Sequence, residues 1–170
     1  MNKEDTLKLI DEYEAHYKYD SKYMREILNH APEAFEKYYA FIPMAEYRKV
    51  TPVEVYYVAK LAAMAEEDCG ECLQLNIRFA LENDVSREVI RAVIDGEGSL
   101  SDDLRTVYNF TVKVANREDI PQELSISMEK KYGKEIMIEL ALCIASAKVF
   151  PTLRRTLGYA RSCSLLEFEI

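Results

Sequence analysis

Apolar residues recur at helical spacing along nearly the whole chain, and the strict alternation of a half-buried strand is almost absent. The spacing predicts a first helix over 3–19, with Leu7, Ile10, Tyr13 and Tyr17 on one face. Short helices follow over 21–29 and 32–41, the second opened by Pro32, and 44–50 reads as a connector. Thr51-Pro52-Val53-Glu54 has the form of a capped helix start: Thr51 as N-cap, Pro52 in the first position, Glu54 closing a capping box. This helix turns Val55, Val58, Leu61, Ala62 and Ala65 inward and ends in the acidic run Glu66-Glu67-Asp68. A second capping box, Asp68 with Glu71, opens a helix over 69–82 whose stripe is Leu73, Ile77, Ala80 and Leu81, with Asn83 as C-cap.

Ser86 starts the next helix, where Val89, Ile90, Val93 and Ile94 face the core, and Gly96-Glu97-Gly98 is the clearest break in the chain. Ser101 caps a helix that carries Leu104, Val107, Tyr108 and Thr111 and ends near Asn116; a short helix over 121–132 is broken by Gly133. From 135 to 150 the chain is apolar nearly all round, which predicts a central buried helix or one covered by a neighbouring subunit; Pro151 kinks or ends it. The expectation is an all-α chain forming one domain over 1–170, with N-terminal helices over 1–50 and a core over 51–160.

Composition narrows the classes. At 170 residues, 49% hydrophobic and 31% charged, the chain has the makings of a sizeable core and is not a disordered segment. Its net charge of −8 argues against a nucleic-acid or anionic-membrane partner. The start, Met-Asn-Lys-Glu-Asp-Thr, lacks the apolar stretch of a signal peptide, and no uninterrupted apolar run approaches the ~18 residues of a membrane span. A cytoplasmic location follows as the expectation, and there the four cysteines read as thiols rather than structural bridges.

Two of those cysteines form Cys69-Gly70-Glu71-Cys72. Positions i and i+3 share a helix face, so the sulfurs can approach to disulfide distance. At a helix start, free backbone N–H groups and the positive end of the dipole favour a thiolate, whereas Glu66, Glu67, Asp68 and Glu71 disfavour it. Three readings fit the motif: a redox-active dithiol, two inert core thiols, or half of a zinc site. No second Cys-x-x-Cys or nearby His completes a zinc set and no glycine-rich phosphate loop is present, so neither a metal nor a cofactor is expected.

The stretch Leu61-Ala62-Ala63-Met64-Ala65, the acidic turn, Cys69-x-x-Cys72 and Ala80-Leu81-Glu82-Asn83-Asp84-Val85-Ser86 resembles the carboxymuconolactone decarboxylase-like superfamily, and within it the alkylhydroperoxidase D-like branch. The resemblance covers about 25–160 and is strongest over 51–96. It implies an all-helical fold built around a helical hairpin, assembly as a trimer or hexamer, and thiol-dependent reduction of a small hydroperoxide or disulfide. In that chemistry Cys72 attacks, Cys69 resolves, and an external dithiol donor restores the pair. The branch places a Glu twelve residues before the first Cys, a His just before the second and another His four after it; here those places hold Tyr57, Glu71 and Asn76. The expected activity is therefore weak or altered, and a non-catalytic oligomer or redox sensor with a vestigial dithiol is the alternative. A lactone decarboxylase fits less well, because that chemistry does not use two cysteines.

Around the dithiol, Tyr57 and Asn76 are candidates for contact with a sulfur or substrate, and Glu54, one turn before Tyr57, is a candidate base set against its capping role. Lys60 and the Arg154-Arg155 pair read as surface cations, His16 and His30 as surface or capping residues, Cys143 as a core thiol, and Cys163 has no assigned role.

Overall fold

A computed structural model of the chain describes residues 2–96, 98–163 and 167–170. These contain nine helices and no strand: α1 (Lys3–Tyr17), α2 (Lys22–His30), α3 (Pro32–Ala45), α4 (Val53–Ala65), α5 (Gly70–Glu82), α6 (Arg87–Ile94), α7 (Asp102–Asn116), α8 (Gln122–Ala147) and α9 (Val149–Thr156). The all-α expectation holds. Glu97, in the expected glycine loop, lies outside the described residues.

Helix α4 is the hub. Every residue from Val55 to Met64 is buried, and the helix packs against α5, α6, α7 and α8. A helix apolar on all sides has no solvent face to offer, and α4 fits that condition more closely than α8 does. Helix α8 is broken at Gly133, whose φ of 75° and ψ of 168° interrupt the helical backbone. Beyond the break it buries Leu140, Cys143, Ile144 and Ala147 but leaves Ile138 54% exposed. Judged over 18-residue windows instead of uninterrupted runs, Gln122–Thr156 is long and apolar enough to cross a membrane by length and composition. Here this stretch packs on α3, α4 and α7.

Local signals were realised in part. Ser86 and Ser101 accept from the backbone N–H groups of Val89 and Leu104, as expected of N-caps, and Asn83 ends α5 with its side chain donating to the Phe79 carbonyl. Helix α3 runs on through Pro43 to Ala45 instead of stopping at 41. Helix α8 passes into α9 at Lys148, which keeps helical φ and ψ, and Pro151 falls in the first turn of α9, where a missing N–H costs no helical hydrogen bond.

Neither predicted capping box forms. Thr51 turns its hydroxyl to Glu139 at 2.5 Å, and Pro52 takes the N-cap position without a side-chain bond. The Glu139 carboxylate also accepts from the N–H groups of Lys49, Val50 and Thr51 at 3.0 Å each, so the 49–51 segment is anchored to α8. At the second site Asp68 adopts a left-handed φ of 47° and Cys69 becomes the N-cap.

A second apolar cluster lies over the first. Ile10, Tyr19, Tyr23, Met24, Leu28, Phe35 and Tyr38 from the N-terminal third pack with Leu75 of α5, and Phe79 touches both clusters. The Tyr19–Tyr23, Tyr23–Tyr38 and Tyr38–Phe150 pairs are edge-to-face, with interplanar angles of 89–90°.

Candidate functional site

Cys69 and Cys72 are joined as a disulfide, their Cα atoms 5.3 Å apart. Both are buried. Cys69 precedes the first turn of α5 and its carbonyl accepts from the Leu73 N–H at 2.9 Å, while Cys72 sits in that turn. The C-terminal segment closes over this corner. The Gly70 N–H donates to the Arg161 carbonyl at 2.9 Å, and the Asp68 carboxylate accepts from the Cys163 N–H and the Ser162 hydroxyl, both at 2.8 Å.

Glu71 and Asp68 beside the dithiol bond to partners instead of capping helices. Glu71 pairs with Arg161 and lies 3.8 Å from Arg154. Burial pushes the Glu71 carboxyl up, but the Arg161 hydrogen bonds and Arg154 outweigh it and hold the group below its usual range. Hydrogen bonds from Cys163 and Ser162 hold Asp68 low in the same way. Cys163 is half-buried, and burial with the Asp68 charge pushes its thiol up to about 11. Arg154 corrects the surface reading. It is 1% exposed, donates to the Tyr19 hydroxyl and to the carbonyls of Asp20 and Tyr159, and lies over the Tyr19 and Tyr23 rings.

Between the two apolar clusters lies a cavity of about 240 Å³, and Cys72, Asn76, Lys60 and Cys143 are on its wall. Its apolar lining comes chiefly from the N-terminal helices, Tyr13, Tyr23, Phe35 and Tyr38 among them, with Phe79 and Phe150. Cys69 does not line it. Asn76 is buried; its Nδ2 donates to the Cys72 carbonyl at 2.8 Å rather than to sulfur, and its Oδ1 has no partner.

Lys60 is likewise inside the protein, against the expectation of a surface cation. Its Nζ donates to the Ala45 carbonyl at 3.3 Å and stands 5.4 and 5.7 Å from the centroids of the Tyr56 and Phe79 rings. Desolvation lowers its pKa. Cys143 is the buried core thiol expected, pushed up to about 11 by burial, and it shares the cavity wall with Cys72.

The remaining candidates fall elsewhere. Tyr57 is buried in the core of α4 with its hydroxyl pushed up to about 12 by burial, but it is not on the cavity wall. Glu54 is exposed on the first turn of α4. His16 pairs with Glu82 at 2.6 Å, His30 ends α2, and neither lines the cavity. Among the described residues no group of three His, Cys, Asp or Glu side chains is placed to hold a metal ion. Chemically, the arrangement is a two-electron thiol couple with Cys72 on the wall of an apolar chamber, beside a buried amine and an unpaired amide oxygen.

Comparison with known protein families, with curated proteins and with solved structures finds no match to this chain.

Proposed function

We propose that the chain is a thiol-dependent oxidoreductase of the alkylhydroperoxidase D-like kind, acting on a small apolar hydroperoxide or disulfide through Cys69 and Cys72. The observation that carries this reading is that Cys72, already paired with Cys69, lines an apolar cavity large enough for a small substrate. In the peroxide version the Cys72 thiolate attacks the terminal oxygen, releasing the alcohol after protonation and leaving a sulfenic acid. The Cys69 thiol then displaces water to form the disulfide, and an external dithiol returns two electrons and two protons.

No His lines the chamber, and the Arg161 and Arg154 cations near the dithiol are taken up by Glu71, so little thiolate forms at neutral pH and turnover is modest. The same two features favour the second reading, a single-use redox sensor or vestigial dithiol in a helical assembly. Multiple turnovers of an organic hydroperoxide with a dithiol donor, lost in Cys72→Ser, support the enzyme; one equivalent or less per chain supports the sensor.

The self-associating trimer or hexamer belongs to this proposal. Ile138, Ala141 and Ala145 lie on the solvent side of α8, an apolar strip for a second copy to cover. A monomer by sedimentation at micromolar concentration would contradict it.

A further inference from the structure

The cavity contains two buried polar groups that the dithiol chemistry does not use. Asn76 is 5% exposed, and its orientation is fixed by Nδ2 donating to the Cys72 carbonyl at 2.8 Å. Flipping the amide would set two oxygens against each other, so Oδ1 is the atom left over, and it has no hydrogen-bond partner. An unpaired buried acceptor costs folding free energy, which a ligand's donor removes.

Lys60 is 8% exposed. One of its three N–H groups meets the Ala45 carbonyl at the end of α3, but that carbonyl already accepts from the Tyr56 hydroxyl at 3.2 Å. Capping α3 therefore does not require the lysine. Among the described residues its ammonium has no other hydrogen-bond acceptor and no carboxylate within ion-pair distance.

We propose that this cavity is a binding site for a small phenol, whose hydroxyl oxygen accepts from Lys60 Nζ, whose O–H donates to Asn76 Oδ1, and whose ring lies among the N-terminal aromatic side chains. A hydroxyl is the simplest head that both accepts and donates, matching the unpaired Asn76 acceptor and the remaining N–H groups of Lys60. A neutral head is favoured over an anion because the wall is apolar and Glu46 also lines the chamber, adding negative charge where an anion would have to be desolvated. An aromatic body is favoured over an alkyl one because Tyr19, Tyr23, Tyr38 and Phe150 already form an edge-to-face series that a further ring extends. The site stands whether or not the dithiol turns over.

The test uses the full-length oxidised protein and three matched probes: 4-propylphenol, 4-propylanisole and 4-propylbenzoate, with affinities measured by calorimetry or ligand-observed NMR. The phenol binds about tenfold more tightly than its methyl ether, the loss expected when a buried acceptor goes unpaired. In Asn76→Leu the two bind within about twofold of each other, and Lys60→Met weakens phenol and ether alike, since both oxygens accept. Equal affinity of phenol and ether for the native protein, tighter binding of the benzoate, or no binding of the phenol at millimolar concentration would each overturn the proposal. The native comparison decides the matter even if a variant fails to fold.

Discussion

Cys69 and Cys72 are bonded to each other, yet only Cys72 lines the cavity; Cys69 is fully buried at a corner where residues 161–163 bond to Asp68 and Gly70 on either side of it. The two sulfurs therefore differ in access, although they are three residues apart on one helix start. After reduction, a small uncharged alkylating agent modifies Cys72 before Cys69, as read by peptide mass spectrometry over time. Equal rates, or Cys69 first, would contradict this placement of the cavity.

The C-terminal segment shields the dithiol through Arg161. Arg161→Ala removes the guanidinium that ties the segment to Glu71, which keeps Arg154 at 3.8 Å and the residue-161 N–H, and so loosens the segment over Gly70. The Arg161 side chain is 61% exposed, so its removal leaves global stability nearly unchanged. Reduction of the disulfide by dithiothreitol, followed by thiol release, becomes several-fold faster. An unchanged rate would show that the segment does not limit access.

Glu139 binds the 49–51 segment to α8. Burial raises its carboxyl pKa, but the Thr51 hydroxyl and the three backbone N–H groups outweigh burial and bring it below the ordinary 4.5. A depressed carboxyl contributes stability that is complete above its unfolded-state value and is lost as pH falls through its folded-state value. Glu139→Gln destabilises the protein by about 2–3 kcal/mol at pH 7 in chemical denaturation. The gap between variant and native protein narrows below pH 4.5. A gap independent of pH would refute the charged assignment.

Lys60 gives a slope of the same sign in an alkaline window. Its pKa is lowered by desolvation from 10.5, so between its folded-state value and 10.5 the unfolded chain binds more protons and stability rises with pH. Lys60→Met lacks that rise. Parallel stability curves for variant and native protein from pH 7 to 10.5 would place the ammonium in water, contrary to its burial.

Much of the fold was legible because helix periodicity and short caps are local properties. Ser86, Ser101 and Asn83 act where the pattern places them, since their partners are three or four residues away. Thr51 and Asp68 do not, because each meets a distant competitor: Glu139 takes the Thr51 hydroxyl, and Ser162 and Cys163 take the Asp68 carboxylate. Lys60 and Arg154 have the sequence signature of surface cations for the same reason. Charge predicts exposure on average, and only the three-dimensional packing brings Tyr56 and Phe79, or Tyr19 and Tyr23, against them. The cavity wall was the least legible feature. It is assembled from the N-terminal helices and from Cys143, far from the Cys-x-x-Cys in sequence; the density of tyrosines before residue 40 was the available signal.

The most direct measurement of the central claim is sulfenic-acid trapping in Cys69→Ser, where the resolving thiol is gone and an oxidised Cys72 has no partner in the pair. The reduced variant is treated with a small aryl hydroperoxide and a sulfenate-specific dione, and the adduct is located by mass spectrometry. A stoichiometric adduct on Cys72, formed faster with the aryl hydroperoxide than with hydrogen peroxide, is the predicted result. An adduct absent from Cys72, or formed no faster with the aryl hydroperoxide than with hydrogen peroxide, would contradict the account.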